Sequence, residues 1–134
     1  MFEMMTAVFT EDEAGGADGD PLRDDDVVLL LRREDFWALV ATEGDLVVGG
    51  VTAHALPMTR NRSTELFVYD LAVRTDWQRR GIGRTLVTEL LALARKSGID
   101  TAFVPADNED THALDFYRAV GGVPSPVTLF TFSR

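Results

Sequence analysis

The spacing of apolar residues changes several times along the chain, and each change predicts a new secondary-structure element. Runs rich in β-branched and aromatic residues predict strands, and the turn Glu43-Gly44-Asp45 would join the first two. The predicted strands cover residues 36–42, 46–56, 65–73, 101–105 and 127–132.

Apolar residues three and four positions apart predict helices before and between these strands. The clearest covers residues 83–96, and Gly98 follows it where a left-handed C-terminal cap belongs. The other predicted helices cover residues 1–10, 24–33 and 109–120, with a polar, glycine-rich loop over 11–21. Two successive strand, helix, strand units after an antiparallel start predict an α/β fold, with a mixed, mostly antiparallel central sheet flanked by helices.

Acidic residues are concentrated near the N-terminus. The 134 residues carry 22 acidic and 13 basic side chains, a net charge of −9, and residues 1–26 hold nine of those acids with one arginine. A phosphate backbone needs a cationic surface, so we expect no nucleic-acid partner and favour a cationic one. We expect a single domain over residues 1–134, with residues 1–23 forming an acidic, partly mobile segment.

The composition argues against disulfide-bonded, metal-binding and membrane-spanning proteins. The chain has no cysteine, which removes disulfides and thiolate metal ligands, and His54 and His112 are too few and too far apart to predict a metal. Its apolar runs are far shorter than the ~18 residues of a membrane span, and the N-terminus lacks a basic region. We therefore expect a cytoplasmic protein with no membrane contact.

A glycine-rich loop carries the first candidate chemistry. Residues 78–84, QRRGIGR, lie between the predicted strand 65–73 and the clearest helix. Gly81 and Gly83 allow close approach of the backbone, the helix N-terminus attracts an anion, and three arginines suit a diphosphate. Leu86 replaces the third glycine of a dinucleotide motif, and no nucleoside triphosphate loop occurs. The alternative is a glycine-rich helix start with solvated arginines.

The pattern Gln78-x-x-Gly81-x-Gly83 after Leu71-Ala72-Val73 resembles the coenzyme A signature of the GNAT superfamily of N-acetyltransferases, and Phe116-Tyr117-x-x-x-Gly121 resembles its second motif. The resemblance covers roughly residues 24–134 and implies acetyl-CoA as co-substrate and a V-shaped splay between two central parallel strands. The residues that it assigns to coenzyme A are Leu71, Ala72, Val73, Gln78, Arg79, Arg80, Gly81, Ile82, Gly83, Arg84 and Tyr117.

Acetyl transfer from a thioester to an amine needs a neutral amine, a polarised carbonyl and an acid for the departing thiolate. The resemblance gives the acid role to Tyr117, for which the alternative is a buried tyrosine on an apolar helix stripe. The backbone N–H of Val73 is our candidate for the carbonyl donor. Strand alternation places Asp70 with Leu66 and Val68, where it either serves the substrate amine or bonds to backbone or an arginine.

Three further acids, Asp107, Glu109 and Asp110, follow the predicted strand 101–105. Open α/β sheets bind ligands at this end of their strands, so these acids are candidates to pair with substrate ammonium groups. Helix capping is the competing explanation, and at least one of the three is expected to cap the helix 109–120. Asp110 is the strongest substrate candidate among them.

Residues 69–73, YDLAV, together with Asp107, Asp110 and Tyr117 at their spacing, most resemble aminoglycoside 3-N-acetyltransferases of the gentamicin type. This implies acetylation of a small cationic aminocyclitol, the chemistry of antibiotic resistance, and the superfamily suggests a homodimer. One alternative is acetylation of a protein N-terminus or lysine. A non-catalytic coenzyme A binding regulatory module is the other, since the family's usual first β-strand has no counterpart before the predicted helix 1–10.

Overall fold

The structure, a computed structural model, describes residues 23–134. The predicted helix over residues 1–10 and the loop over 11–21 lie outside the described residues. The described elements are α1 (Asp24–Leu31), β1 (Phe36–Glu43), β2 (Leu46–Pro57), β3 (Thr64–Val73), α2 (Ile82–Lys96), β4 (Thr101–Phe103) and α3 (Thr111–Ala119). A short 3-10 helix, Thr75–Trp77, precedes α2.

The four strands form one sheet in the order β1-β2-β3-β4. The first three strands pair antiparallel, whereas β3 and β4 pair parallel, as the predicted mixed sheet requires. The parallel pairing ends at Phe67 opposite Phe103, although β3 continues to Val73. The predicted opening between the two parallel strands is therefore present, and the fold-class prediction is confirmed.

Helix α2 covers one face of the sheet and closes the core. Its buried residues include Leu86, Leu90 and Ala94, which pack against Val51 and Leu66 of the two middle strands. Because these helix positions share one stripe, the helical period in the sequence identified the core face correctly. We call this side of the sheet the core face and the opposite side the open face.

Gly49 of β2 allows the first turn of α2 to approach the sheet. A Cβ atom there would lie 3.2 Å from both the Ala72 carbonyl oxygen and Ile82 Cγ2, and 3.3 Å from Leu86 Cδ1. Such distances are tighter than ordinary van der Waals contact, so a larger residue would push the helix away. Gly49 thus helps to set the position of the α2 N-terminus relative to β3.

A β-bulge in β3 changes which side chains share a face. Thr52 pairs with Asp70 and Ala53 pairs with Val68, so Tyr69 is the extra residue. The Asp70 N–H donates to Oγ1 of Thr52 at 3.2 Å, and the Thr52 side chain is buried. The alternation of β3 side chains between the two faces of the sheet therefore shifts by one residue after Val68.

This bulge overturns the predicted placement of Asp70. Leu66 and Val68 lie in the core, and beyond the bulge it is Leu71 that packs against the core. Asp70 consequently lies on the open face, with Thr52, and does not share a face with Leu66 and Val68. Strict alternation gave the wrong face because nothing in the apolar pattern signals one extra residue.

The predicted strand over residues 127–132 is also wrong. Residues 121–134 have no regular secondary structure, and β4 is consequently an edge strand within the described part of the chain. A strand exists only when a neighbour satisfies its backbone groups, and the alternating pattern alone supplies no neighbour. The other predicted strands and helices within residues 23–134 are present, with boundaries shifted by up to two residues.

Candidate active site

The loop between β3 and α2 has an anion-binding backbone geometry. Arg79 has φ 62° and Gly81 has φ 81°, so two left-handed residues occur within three positions. Backbone of this kind gathers successive N–H groups on one side, and Gly81 is also the N-cap of α2, whose first N–H groups lack helical partners. The loop therefore presents donors and a positive helix end together.

Gln78 ties this loop to the end of β3. Its Nε2 donates to the Val73 carbonyl oxygen at 3.0 Å, and the Arg74 N–H donates to the Val48 carbonyl oxygen at 2.8 Å. Inside the loop, Thr85 donates from both its N–H and its Oγ1 to the Gly81 carbonyl oxygen, at 3.0 and 2.9 Å. Gln78, predicted to bind the coenzyme, thus has a positioning role within the chain.

Some backbone N–H groups of β3 point into the opening between β3 and β4. The bond from Arg74 to Val48 marks a hydrogen-bonded pair, so the neighbouring pair Val73 and Gly49 is a non-hydrogen-bonded one. By the same alternation the N–H groups of Leu71 and Val73 point away from β2, toward the side where β4 has ended. The structure thus brings Leu71 and Val73 to the opening, whereas the main-chain groups of Ala72 point toward β2.

The three loop arginines are exposed around this opening. Among the ion pairs of residues 23–134, none involves Arg79, Arg80 or Arg84. The guanidinium carbon of Arg80 lies 4.7 Å from the centroid of the Trp77 ring, a cation–π contact that holds it beside the loop. Trp77 therefore packs against the loop through Arg80.

Gly83 brings α3 close to the loop. A Cβ atom at Gly83 would lie 3.4 Å from the Phe116 ring and 3.9 Å from Val73 Cγ2, so Phe116 packs over the first turn of α2. Tyr117 follows on the same helix, and its ring is 5.2 Å from that of Phe116 in an edge-to-face arrangement. The side chain of Ile82, in contrast, packs against the core.

The half-buried phenol of Tyr117 is held in its neutral form. Burial raises its pKa above the ordinary value of 10.0, and the negative charge of Asp110 raises it further. A phenol that stays protonated at neutral pH retains a proton to donate. The predicted buried tyrosine and the predicted acid are thus compatible descriptions of the same residue.

The acids before α3 have local structural roles. Asp110 is the N-cap of α3, and its Oδ1 accepts a hydrogen bond from the Ala113 N–H at 3.0 Å. Oδ1 of Asp107 accepts from the Glu109 N–H at 2.9 Å and closes the preceding turn. A cap and a turn therefore account for one oxygen of each aspartate, while Glu109 is exposed.

An aromatic row crosses the open face beside Asp70. The rings of His54 and Tyr69 are 5.5 Å apart, those of Phe67 and Tyr69 are 5.6 Å apart, and Phe67 stacks on Phe103 at 5.1 Å. Edge-to-face and stacked pairs at these distances are favourable, and Tyr69 remains exposed. Sequence reasoning missed this row, although aromatic residues at paired positions of neighbouring strands would have been its signal.

The core face carries a groove that reaches the loop between β3 and α2. It has a volume of about 370 Å³ and lies between β1 and α2, with Leu39, Ala41, Arg80, Gly81 and Glu89 among its lining residues. Asp70 and the aromatic row are on the other side of the sheet from this groove. Residues 23–134 contain no cluster of three metal-ligating side chains, and none of their helices is long and apolar enough to cross a membrane.

Comparison with known proteins identifies relatives of this chain. The model of the acetyltransferase (GNAT) family matches residues 2–121. A curated relative, described as the uncharacterized N-acetyltransferase YvbK of Bacillus subtilis (strain 168), is 31% identical over 81 residues. That match covers 60% of this chain and 49% of the relative, so it spans about half the length of the relative.

Solved structures extend the similarity over nearly the whole chain. The aminoglycoside acetyltransferase meta-AAC0020 from an uncultured soil metagenomic sample, solved in complex with sisomicin, is 30% identical with a TM-score of 0.89. The alignment covers 99% of this chain and 88% of that one. The aminoglycoside acetyltransferase HMB0005, also from a soil metagenomic sample, is 31% identical with a TM-score of 0.84, covering 99% and 87%.

The pKa of Tyr117 can be measured directly. The chain has two tyrosines, so Tyr69→Phe leaves Tyr117 as the single phenol, and its ionisation can be followed by phenolate absorbance. We expect a midpoint above 10.0 in the folded protein, returning to about 10 in denaturant. Because the pKa of Tyr117 is higher in the folded protein, its neutral phenol contributes to the free energy of unfolding. That contribution is complete below pH 10.0 and is lost as the pH rises through the pKa of the folded protein.

Asp110→Asn in the same background separates the two causes. Asparagine caps a helix as aspartate does, so α3 is kept while the charge is removed. The midpoint should fall toward 10.0 and stay above it, because burial is the larger cause. A folded midpoint at or below 10.0, or one that ignores Asp110→Asn, would contradict this account of the site.

Proposed function

The chain belongs to the GNAT family of acetyltransferases, and we propose that it transfers an acetyl group from acetyl-CoA to a primary amine of a small cationic acceptor. The observation that carries this proposal is the opening beside β3, where the N–H groups of Leu71 and Val73 adjoin the anion-binding loop. A ligand with an extended amide arm and a diphosphate matches both parts. Acetyl-CoA has both and supplies the thioester whose acetyl group is transferred.

The described residues fit this co-substrate. An extended amide arm can bond to the unpaired edge of β3 as an added strand would. The backbone N–H groups over residues 79–84 and the exposed Arg79, Arg80 and Arg84 would hold the diphosphate. Gly81 suits the loop because its φ of 81° is strained for other residues.

Three groups of this chain then have chemical roles. The N–H of Val73 is placed to donate a hydrogen bond to the thioester carbonyl, where negative charge develops. The Tyr117 hydroxyl, protonated at neutral pH as phenols are, donates its proton to the departing thiolate. Asp70, on the open face, accepts a proton from the attacking amine through water and holds the cationic acceptor.

We propose an aminoglycoside as the acceptor, acetylated at its 3-amino group. The sisomicin complex of a 30% identical structure supports the acceptor class. In this chain, Asp70 together with Asp107, Glu109 and Asp110 provides carboxylates for a polycation, and each capping aspartate retains a second oxygen. The exposed ring of Tyr69 adds a surface for a sugar or an ammonium group.

Acetylation of a protein N-terminus or lysine is the second candidate activity, and it would use the same co-substrate, Val73 and Tyr117. A coenzyme A binding module without turnover is the third. We also propose that the chain forms a homodimer.

Binding of acetyl-CoA is tested by thermal stability with Gly81→Asp. A ligand at about 100 times its Kd stabilises the folded state by ~2.7 kcal/mol, so acetyl-CoA should raise the melting temperature of the original protein. Gly81→Asp places a carboxylate in the anion site and should abolish that rise.

The matched control is Gly44→Asp. Gly44 also has a positive φ, 59°, and an added Cβ meets nothing within 4 Å in either position, but Gly44 lies in the turn between β1 and β2. This variant should keep the full rise. Equal loss of the rise in both variants, or its absence in the original protein, would refute the proposed coenzyme loop.

The acid role of Tyr117 is tested with Tyr117→Phe. The ring and its packing on Phe116 are kept while the hydroxyl is lost, so the acetyl-CoA thermal shift should be unchanged. Loss of a general acid lowers kcat by about 10²-fold or more, measured by release of free thiol. Tyr69→Phe makes the same chemical change outside the proposed acid position and should retain kcat; an unchanged kcat in Tyr117→Phe removes Tyr117 from the chemistry.

The acceptor is tested by mass spectrometry of products from a panel. Sisomicin and gentamicin should gain one acetyl group at the 3-amino nitrogen, located by fragmentation, while lysine peptides and free N-terminal peptides stay unmodified. Asp70→Asn should raise KM for the aminoglycoside about tenfold, the order expected for one charged contact, and should also lower kcat because the proton acceptor is lost. Asp100→Asn removes the same charge from an exposed position before β4 and serves as the control.

The panel also separates the candidate activities. Acetylated peptides without acetylated aminoglycosides would establish the protein acetyltransferase, and coenzyme binding with no acetylated acceptor would establish the binding module. Kinetics of Asp70→Asn that match those of Asp100→Asn would remove Asp70 from acceptor binding.

A further inference from the structure

The bulge in β3 is held by a side chain that has no part in the chemical steps proposed above. Thr52 of β2 lies opposite Asp70, and its Oγ1 accepts a hydrogen bond from the Asp70 N–H at 3.2 Å. Val51 and Ala53, on either side of Thr52, belong to the core, so the Thr52 side chain points to the open face. It therefore shares that face with the carboxylate proposed to accept the proton of the amine.

The hydroxyl of Thr52 is costly to bury at its position. Thr52 is 1% exposed, and among residues 23–134 it is the one polar residue that is buried. Valine has the same shape and would be buried there at less cost, because taking a hydroxyl out of water is unfavourable unless a protein hydrogen bond replaces those with water. The bond from the Asp70 N–H is such a replacement. The contact with Asp70 therefore gives a physical reason for threonine at this position.

The bulge has support on both sides of its extra residue. Before it Phe67 pairs with His54, and after it Asp70 pairs with Thr52, so three steps along β3 match two steps along β2. The Tyr69 ring packs edge-on against the rings of His54 and Phe67, at 5.5 and 5.6 Å. The rings thus hold Tyr69 itself, and the Thr52 hydroxyl holds the residue that follows it.

The face on which Asp70 lies depends on which residue of β3 is the extra one. Successive side chains of a strand point to opposite faces, and Val68 points to the core. If the extra residue followed Asp70 instead of preceding it, alternation from Val68 would turn the Asp70 carboxylate toward the core. The bond from the Asp70 N–H to Thr52 fixes Asp70 as the paired residue and Tyr69 as the extra one. This bond therefore selects the face that carries the carboxylate.

The part of β3 beyond Asp70 is held independently of this bond. The strands β2 and β3 stay in register from Asp70 to Val73, and the Arg74 N–H then donates to the Val48 carbonyl oxygen at 2.8 Å. The N–H groups proposed to bind acetyl-CoA lie in this part of the strand. Loss of the Thr52 hydroxyl should therefore disturb the acceptor side of the site and spare the coenzyme side.

We propose that Thr52 is a positioning residue for acetyl transfer, because its hydroxyl fixes the bulge at Tyr69 and so holds the Asp70 carboxylate on the open face. This inference rests on the proposed function, in which Asp70 accepts the proton of the amine. Thr52 does not contact the acceptor itself, because it is buried. Its influence on the rate passes through the position of Asp70, and a misplacement of about 1 Å can cost on the order of 10²-fold.

The first experiment compares Thr52→Val, which keeps the shape and loses the hydroxyl, with Thr52→Ser, which keeps the hydroxyl. With sisomicin as acceptor, Thr52→Val should lower kcat by about tenfold or more, and Thr52→Ser should stay within about threefold of the original protein. KM for acetyl-CoA and the acetyl-CoA thermal shift should be unchanged in both. A merely structural role would lower the melting temperature and would not separate kcat from coenzyme binding in this way.

The matched control is Thr42→Val. Thr42 is exposed in β1, beside the other register shift of the sheet, so the same chemical change is made next to a bulge away from Asp70. This variant should keep kcat. Equal loss of kcat in Thr52→Val and Thr42→Val, or a Thr52→Ser protein as slow as Thr52→Val, would overturn the proposal.

The second experiment asks whether Thr52 acts through Asp70. In the Asp70→Asn background the carboxylate is already lost, so adding Thr52→Val should change kcat by less than about twofold. Effects of the two substitutions that multiply would show that Thr52 acts by another route, and would refute its role in positioning Asp70.

Amide hydrogen exchange, measured by NMR, tests the hold on Asp70 without any activity. The Asp70 N–H should exchange about tenfold faster in Thr52→Val than in the original protein, and should stay protected in Thr52→Ser and Thr42→Val. Unchanged exchange in Thr52→Val would refute the inference whether or not sisomicin is acetylated. Faster exchange in a protein that leaves sisomicin unmodified would support the hold of Thr52 on Asp70 and contradict the proposed acceptor alone.

Discussion

The unequal pairing of β3 on its two sides is the constraint on which this molecule depends. Toward β2 the strand is paired along its length, but toward β4 it is paired only as far as Phe67. Backbone N–H and C=O groups require partners, so the remainder of β3 must find them outside the sheet. Gln78 supplies one by bonding the Val73 carbonyl, and this same bond fixes the loop that follows. The requirement for hydrogen bonds thus joins the proposed ligand-binding edge to the loop that begins α2.

The packing of α2 maintains that relation. Leu86 and Leu90 hold the helix on the core face, and Gly49 permits its first turn to contact the sheet. Buried apolar contacts therefore fix the position of the helix N-terminus relative to Val73. A rigid support of this kind is what a site needs when its donors must meet a carbonyl and a diphosphate together.

Much of this arrangement could be predicted from the sequence because its signals are local. The stripe of α2 repeats over several turns, and Gly81 and Gly83 mark the loop directly. Three features depended on partners far away in sequence and were not predictable in that way. The bulge at Tyr69 arises from pairing with β2 and moved Asp70 to the open face. The aromatic row requires the register of β2, β3 and β4, and residues 127–132 have strand composition but no neighbouring strand within the described chain.

One residue can have a structural role and a chemical role at the same time. Asp110 caps α3 through one oxygen, and its charge also acts on Tyr117 of the same helix. A cap that fixes the helix therefore places the negative charge that helps to keep the phenol protonated. Burial acts in the same direction, since packing beside Phe116 removes water that would stabilise a phenolate. The interactions that make Tyr117 part of the packing also keep its hydroxyl protonated, so a packing role and a chemical role need not be assigned to separate residues here.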